Sequence, residues 1–209
     1  MRVGIITVEG RGEYLNALTQ VLRPEVDDIK IFTDTGINNH TGHFYNLKRC
    51  MTEMLDGAKK DEPILITTDD VITVPGWRKY WEKIHSRAQN NIYVLMARQH
   101  HLFTPGNISR GYITKCQLRG YYDHATIFIN QNGLMDKVLT WFNSVGKNTK
   151  PLLKRGKWLD VIIQEYLIYH KMPWTITIPT LFNHIGTVST LGNNIGGSPD
   201  YIGDCVENL

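Results

Sequence analysis

Ile64-Leu65-Ile66-Thr67-Thr68-Asp69-Asp70-Val71, with Pro75-Gly76-Trp77 close behind, is the stretch that decides the fold of this 209-residue chain. Residues 64–67 form a short, β-branched, apolar run, which reads as a buried strand. The run ends in two adjacent carboxylates, and Pro75-Gly76 opens a helical stripe of Trp77, Tyr80, Trp81 and Ile84. In open α/β sheets ligands bind outside the carboxyl ends of the strands. Two acids at such an end are costly neighbours unless a cation or hydrogen-bond donors compensate them. Mg²⁺ or Mn²⁺, which takes one or two carboxylates plus phosphate oxygens, fits there. A plain Asp-Asp turn or helix cap would use the same residues.

The same alternation of strand and helix extends in both directions. Further strands are expected at Val3–Val8, Ile29–Thr33, Ile92–Ala97, Ala125–Ile129 and Trp174–Ile178. Between them lie stripes at helical spacing. These are Leu15, Leu18, Val21 and Leu22; Phe44, Leu47, Met51, Met54 and Leu55; Leu134, Met135, Val138, Leu139 and Phe142; and Leu159, Ile162, Ile163, Tyr166 and Leu167. Each stripe is a core-packing face. The order β-α-β-α-β-α-β is that of an α/β domain with a mostly parallel central sheet flanked by helices. After Gly192 the chain turns Gly- and Asn-rich and loses periodicity, so residues 1–192 read as one domain and 193–209 as a flexible tail.

Composition excludes several classes. With 42% hydrophobic and 21% charged residues, the chain is ordinary for a globular protein. No apolar run approaches the roughly 18–20 residues of a membrane span. Met1–Val8 is too short for a signal-peptide core before Glu9-Gly10 and reads as a first strand. Cys50, Cys116 and Cys205 are odd in number and far apart, which supports neither a disulfide framework nor structural zinc. A reducing, cytoplasmic setting is the expectation.

The net charge of +3 conceals an asymmetry. Residues 83–159 carry 12 basic residues against only Asp123 and Asp136, while the flanking blocks are acidic. Such a block is either a solvated face or a surface that meets a polyanion.

Thr68-Asp69-Asp70, with Val71 and Pro75-Gly76-Trp77, resembles the acidic motif of nucleotide-sugar glycosyltransferases of the GT-A fold. Thr68 stands where the family's first acid would be. The resemblance implies a single Rossmann-like domain, with a donor half at about 1–97 and an acceptor half at about 98–192. It implies that Asp70 is a ligand of Mn²⁺ or Mg²⁺ on the donor diphosphate, with Asp69 beside the donor. Pro179-Thr180-Leu181-Phe182-Asn183-His184-Ile185-Gly186 is similar to the family's late metal motif. On that likeness His184 is the further metal ligand, and Gly186 lets backbone approach the phosphates. A histidine at a strand end also serves commonly as a structural residue. Trp158-Leu159-Asp160 falls where inverting members place a general base, although Asp160 also suits a helix N-cap. Glu165 and Asp123 are the alternative bases. Thr7 and Val8 would meet the donor base, Asp34 the ribose or base, and Asn46 the donor as well.

The implied activity is transfer from a nucleotide-sugar, with UDP-sugar as the expected donor, to an acceptor hydroxyl. The small size resembles that of phage-encoded enzymes that glycosylate hydroxymethylated pyrimidines in viral DNA, which would act in the host cytoplasm. Arg98, Arg110, Lys154 and Arg155 lie in the basic block and are the candidate contacts to double-stranded DNA. A phosphorylated lipopolysaccharide core or another glycan would satisfy the same charges. A dinucleotide-binding oxidoreductase is the distant alternative. Gly10-Arg11-Gly12 and Asp34 have its spacing, but Leu15 replaces the third glycine. A non-catalytic nucleic-acid-binding domain lacks any recognisable motif. The oligomeric state stays open.

Overall fold

A computed structural model describes residues 1–34, 40–96, 107–109, 112–115, 125–146, 166, 167, 169–177 and 180–185. Its centre is an eight-stranded sheet. The strands are β1 (Arg2–Val8), β2 (Asp28–Asp34), β3 (Pro63–Thr68), β5 (Ile92–Val94), β6 (Asn107–Ser109), β7 (Tyr112–Lys115), β8 (Ala125–Ile129) and β9 (Trp174–Thr177). They lie in the order β2-β1-β3-β8-β5-β9-β7-β6. β2, β1 and β3 are mutually parallel, β5 and β9 are parallel, and β8 and β7 run against their neighbours. The sheet is thus mostly parallel in direction, with β8 reversed between β3 and β5. A second, two-stranded sheet pairs β4 (Val71–Thr73) with β10 (Phe182–His184) antiparallel.

The period of two along each strand sorts the core into two layers. Ile6, Ile64, Ile66, Val94 and Phe128 face one cluster, completed by α2 (His40–Leu55) and α4 (Leu134–Gly146). Val3, Ile5, Leu65, Tyr93 and Ile127 face the other, completed by α1 (Gly12–Leu22) and α3 (Trp77–Ala88). β1 and β3 are buried on both faces, as inner strands of such a sheet must be. β2 is an edge strand, and Asp28, Lys30 and Asp34 on it discourage pairing with a further chain.

Local contacts fix the helices on this frame. Arg2 donates from Nη1 to the carbonyls of Met54 at 2.9 Å and Asp56 at 2.7 Å, placing a cation at the end of α2. At the start of α3, Glu25 accepts from the backbone N–H groups of Gly76 and Arg78, a cap supplied from a distant turn. β1 approaches α2 so closely that a Cβ on Gly4 would stand 2.4 Å from Cys50 Sγ. Cys50 is buried, which pushes its thiol pKa up and leaves it a packing group.

Several boundaries differ from the sequence reading. Of the expected Ile92–Ala97 strand, Ile92–Val94 is in the ladder, and Ala97 lies outside the described residues. Leu95 continues by bonding its N–H to Ala125 O, while its carbonyl takes the N–H groups of Leu181 and Phe182. The short strands β4, β6, β7 and β10 were not anticipated. Most of the fifth helical stripe and residues 193–209 lie outside the described residues; Tyr166 and Leu167 are buried. Among the described residues no helix is long and apolar enough to cross a membrane.

Candidate active site

β3 ends at Thr68, and the chain turns through Asp69 and Asp70 into β4. The Asp69 N–H donates to Ile6 O at 3.1 Å, so the turn grows directly out of the β1–β3 pairing. Asp69 is 2% exposed. Its Oδ2 accepts the Thr7 hydroxyl at 2.6 Å, and its Oδ1 accepts Arg11 Nη1 at 3.1 Å. Burial pushes the Asp69 pKa up, and the Thr7 hydrogen bond and Arg11 charge only partly offset it.

The neighbouring Asp70 carboxylate meets the same arginine. Its Oδ2 accepts the same Arg11 Nη1 at 2.9 Å and lies 3.3 Å from His184 Nε2. Strand pairing brings that histidine in: His184 stands opposite Val71, and the Ile185 N–H donates to Asp70 O at 2.9 Å. Thr73 Oγ1 donates to Leu181 O at 2.7 Å and pins the far end of the pair. Burial works against the Arg11 charge, but the hydrogen bonds and charges of Asp70 and Asp69 outweigh it and raise its pKa.

The Asp70–His184 geometry fits a shared divalent cation. Adjacent ligands of an octahedral ion at roughly 2.1 Å stand about 3.0 Å apart, close to the 3.3 Å here. Among the described residues no group of three His, Cys, Asp or Glu side chains is placed to hold a metal. Asp70 and His184 would be the two protein ligands of such an ion, with phosphate oxygens and water completing the shell.

The structure collects most of the expected donor side at one edge. Thr7 and Val8 end β1, Asp34 ends β2, and Val8 is paired in register with Asp34. Thr7 acts through its hydroxyl on Asp69. The Asn46 amide donates to Phe32 O at 2.6 Å and its carbonyl accepts Arg49 Nη2 at 2.8 Å, tying α2 to β2. Gly186, Asp160, Asp123, Glu165, Arg98, Arg110, Lys154 and Arg155 lie outside the described residues.

Arg11 is the site residue that sequence reasoning missed. It was visible only as part of Gly10-Arg11-Gly12, read as an incomplete dinucleotide fingerprint. The signal that could have found it is an arginine at the carboxyl end of β1, facing adjacent acids at the carboxyl end of the neighbouring β3.

Fold and site together define an open α/β domain with an acidic turn, Asp69-Asp70, at the carboxyl edge of its sheet. By sequence the chain matches no protein-family model and no curated protein. Among solved structures it is similar to a glycosyltransferase involved in glycosylation of the major capsid of PBCV-1. The TM-score is 0.51 at 13% identity, covering 91% of this chain and 96% of that one. At that identity the likeness shows a shared fold: a single Rossmann-like α/β domain of the kind that viral glycosyltransferase uses.

Proposed function

We propose that the chain is a metal-dependent glycosyltransferase that moves a sugar from a UDP-sugar to an acceptor hydroxyl. The observation that carries this is the Asp70 Oδ2–His184 Nε2 pair, 3.3 Å apart at the carboxyl edge of a sheet shared with a glycosyltransferase. Asp70 and His184 would hold Mn²⁺ or Mg²⁺. When bound, that ion neutralises the charge developing on the departing diphosphate. Asp69, oriented by Thr7, and the strand ends at Val8 and Asp34 line the donor side, with Gly186 as the expected phosphate approach. Asp160 is the proposed base. It takes the proton of the acceptor hydroxyl as that oxygen bonds to the anomeric carbon and the sugar–diphosphate bond breaks, which inverts the centre.

The proposed acceptor is double-stranded DNA bearing hydroxymethylated pyrimidines, on the strength of the basic block at 83–159. Arg98, Arg110, Lys154 and Arg155 would follow its phosphates. A glycan acceptor is the second reading, favoured by the similar enzyme's part in glycosylating a capsid. The test is an intact-mass screen of UDP-sugars with Mn²⁺, against hydroxymethylated duplex, unmodified duplex and oligosaccharide over a salt series. Transfer to modified duplex that falls steeply with salt supports the DNA reading. Transfer to oligosaccharide alone replaces it with the glycan reading. Undiminished turnover in chelator overturns the metal-dependent mechanism.

A further inference from the structure

One guanidinium nitrogen, Arg11 Nη1, bridges both carboxylates of the acidic turn, at 3.1 Å from Asp69 Oδ1 and 2.9 Å from Asp70 Oδ2. The second of these oxygens is also the one that faces His184 Nε2. A cation held by Asp70 Oδ2 would therefore lie within about 5 Å of Nη1, given a metal–oxygen bond of roughly 2.1 Å beside the 2.9 Å contact. That is well inside the Debye length of about 8 Å, and the Arg11 side chain is only 13% exposed, so water and salt screen the repulsion weakly. Arginine stays protonated throughout the usual pH range, so the conflict cannot be relieved by losing a proton.

We propose that Arg11 is the counter-cation of the acidic turn before donor binds, and that it exchanges onto the donor diphosphate as the divalent cation takes Asp70. This rests on the metal-dependent reading above. The diphosphate supplies the anion that makes the exchange favourable, since a guanidinium matches phosphate oxygens as well as carboxylates. A Cβ built at Gly10 or at Gly12 would meet nothing within 4 Å, so the space beside the Arg11 backbone is open. Arg11 sits between two glycines at the mouth of α1, and Gly10 has φ +87°, a conformation that side chains other than glycine rarely adopt. Arg11 is thus a donor-binding residue: it disfavours metal alone and favours metal together with nucleotide.

The experiment is Mn²⁺ binding by electron paramagnetic resonance, without and with UDP, for wild type, Arg11→Gln, Arg11→Lys and Asp70→Asn. Arg11→Gln is expected to bind Mn²⁺ alone about tenfold more tightly than wild type, because the competing charge is gone. It is expected to bind UDP about tenfold more weakly at saturating Mn²⁺, because a charge-assisted contact is lost. Arg11→Lys should keep both affinities near wild type. A buried Asp69 and a half-buried Asp70 without a counter-charge could prevent Arg11→Gln from folding, so Asp69→Asn and Asp69→Asn/Arg11→Gln form a second pair, in which the same gain in Mn²⁺ affinity is expected. Equal Mn²⁺ affinity with and without Arg11, where Asp70→Asn loses it, overturns the exchange and leaves the metal site standing. Tighter Mn²⁺ with unchanged UDP affinity also overturns it. Failure of every variant and of wild type to bind Mn²⁺ overturns both.

Discussion

His184 Nε2 stands 3.3 Å from Asp70 Oδ2 because β10 pairs with β4, not because the two residues are near in sequence. His184 opposes Val71, and Ile185 N–H bonds the carbonyl of Asp70 itself. The pair is therefore set by backbone ladder bonds, which side-chain substitutions leave in place. Asp70→Asn and His184→Ala should each reduce Mn²⁺-dependent turnover by more than the roughly 10–100-fold that outer-shell changes cost at metal sites. Circular dichroism should show an unchanged fold for both. Turnover within a few-fold of wild type in either variant would remove that residue from the site.

Thr7 and Asp69 form the buried hydrogen bond of the edge, at 2.6 Å. Thr7→Val keeps the shape and removes the donor, leaving a buried carboxylate short of one partner. A bond to a charged group is worth about 1.5–3 kcal/mol, so the melting temperature should fall accordingly. Thr7→Ser should restore most of it. Equal stability of the valine and serine variants would show that the hydroxyl contributes nothing.

The legibility of this site follows from how each part is encoded. β3 and its two acids could be read because a buried strand and its terminal carboxylates are contiguous. Arg11 could not, because a long side chain reaching out of a loop obeys no period. The meeting of His184 with Asp70 depends on β4 and β10, each three residues long, too short for alternation to register. The same holds for β6 and β7. β8 was legible as a strand, but its reversal was not, since a strand has the same period in either direction. Asn46, expected beside the donor from the resemblance, also links α2 to β2, a role that its position in the sequence does not announce.

Gly4 marks the closest approach of β1 to α2. A methyl group there meets Cys50 Sγ at 2.4 Å and Met54 Cγ at 3.2 Å. Gly4→Ala should destabilise the protein by about 1–3 kcal/mol through overpacking. Cys50→Ala removes the clashing sulfur, so the double variant should recover part of the loss. Additive effects in that cycle would place the strain elsewhere.

His85 gives stability a pH dependence. It stacks on Trp81, and its Nδ1 lies 2.6 Å from the Tyr93 hydroxyl, which also accepts the Asn90 N–H at 2.9 Å. This arrangement suits a neutral ring, and burial holds the His85 pKa below its ordinary 6.5. The unfolded chain therefore binds the proton more readily. The stabilisation is present above about pH 6.5 and is lost as pH falls through the lower folded value. His85→Gln keeps a hydrogen-bonding side chain without titrating. Its melting temperature should fall less than that of wild type between pH 7.5 and 5.5, and parallel curves would refute the assignment.

Asp160 bears the chemistry of the proposed mechanism. A general base must accept a proton from the acceptor hydroxyl as the new glycosidic bond forms, and such catalysis contributes about 10²–10⁴-fold. Asp160→Asn is isosteric and removes the basicity alone. Turnover should drop by that order, while UDP binding in Mn²⁺ stays at the wild-type level because the proposed metal and donor contacts come from Asp70, His184 and the ends of β1 and β2. The product's anomeric configuration is the second readout. Direct displacement requires inversion, so a retained configuration would exclude this role for Asp160. An unchanged rate in Asp160→Asn with inversion intact would transfer the role to Asp123 or Glu165, each testable by the same isosteric change.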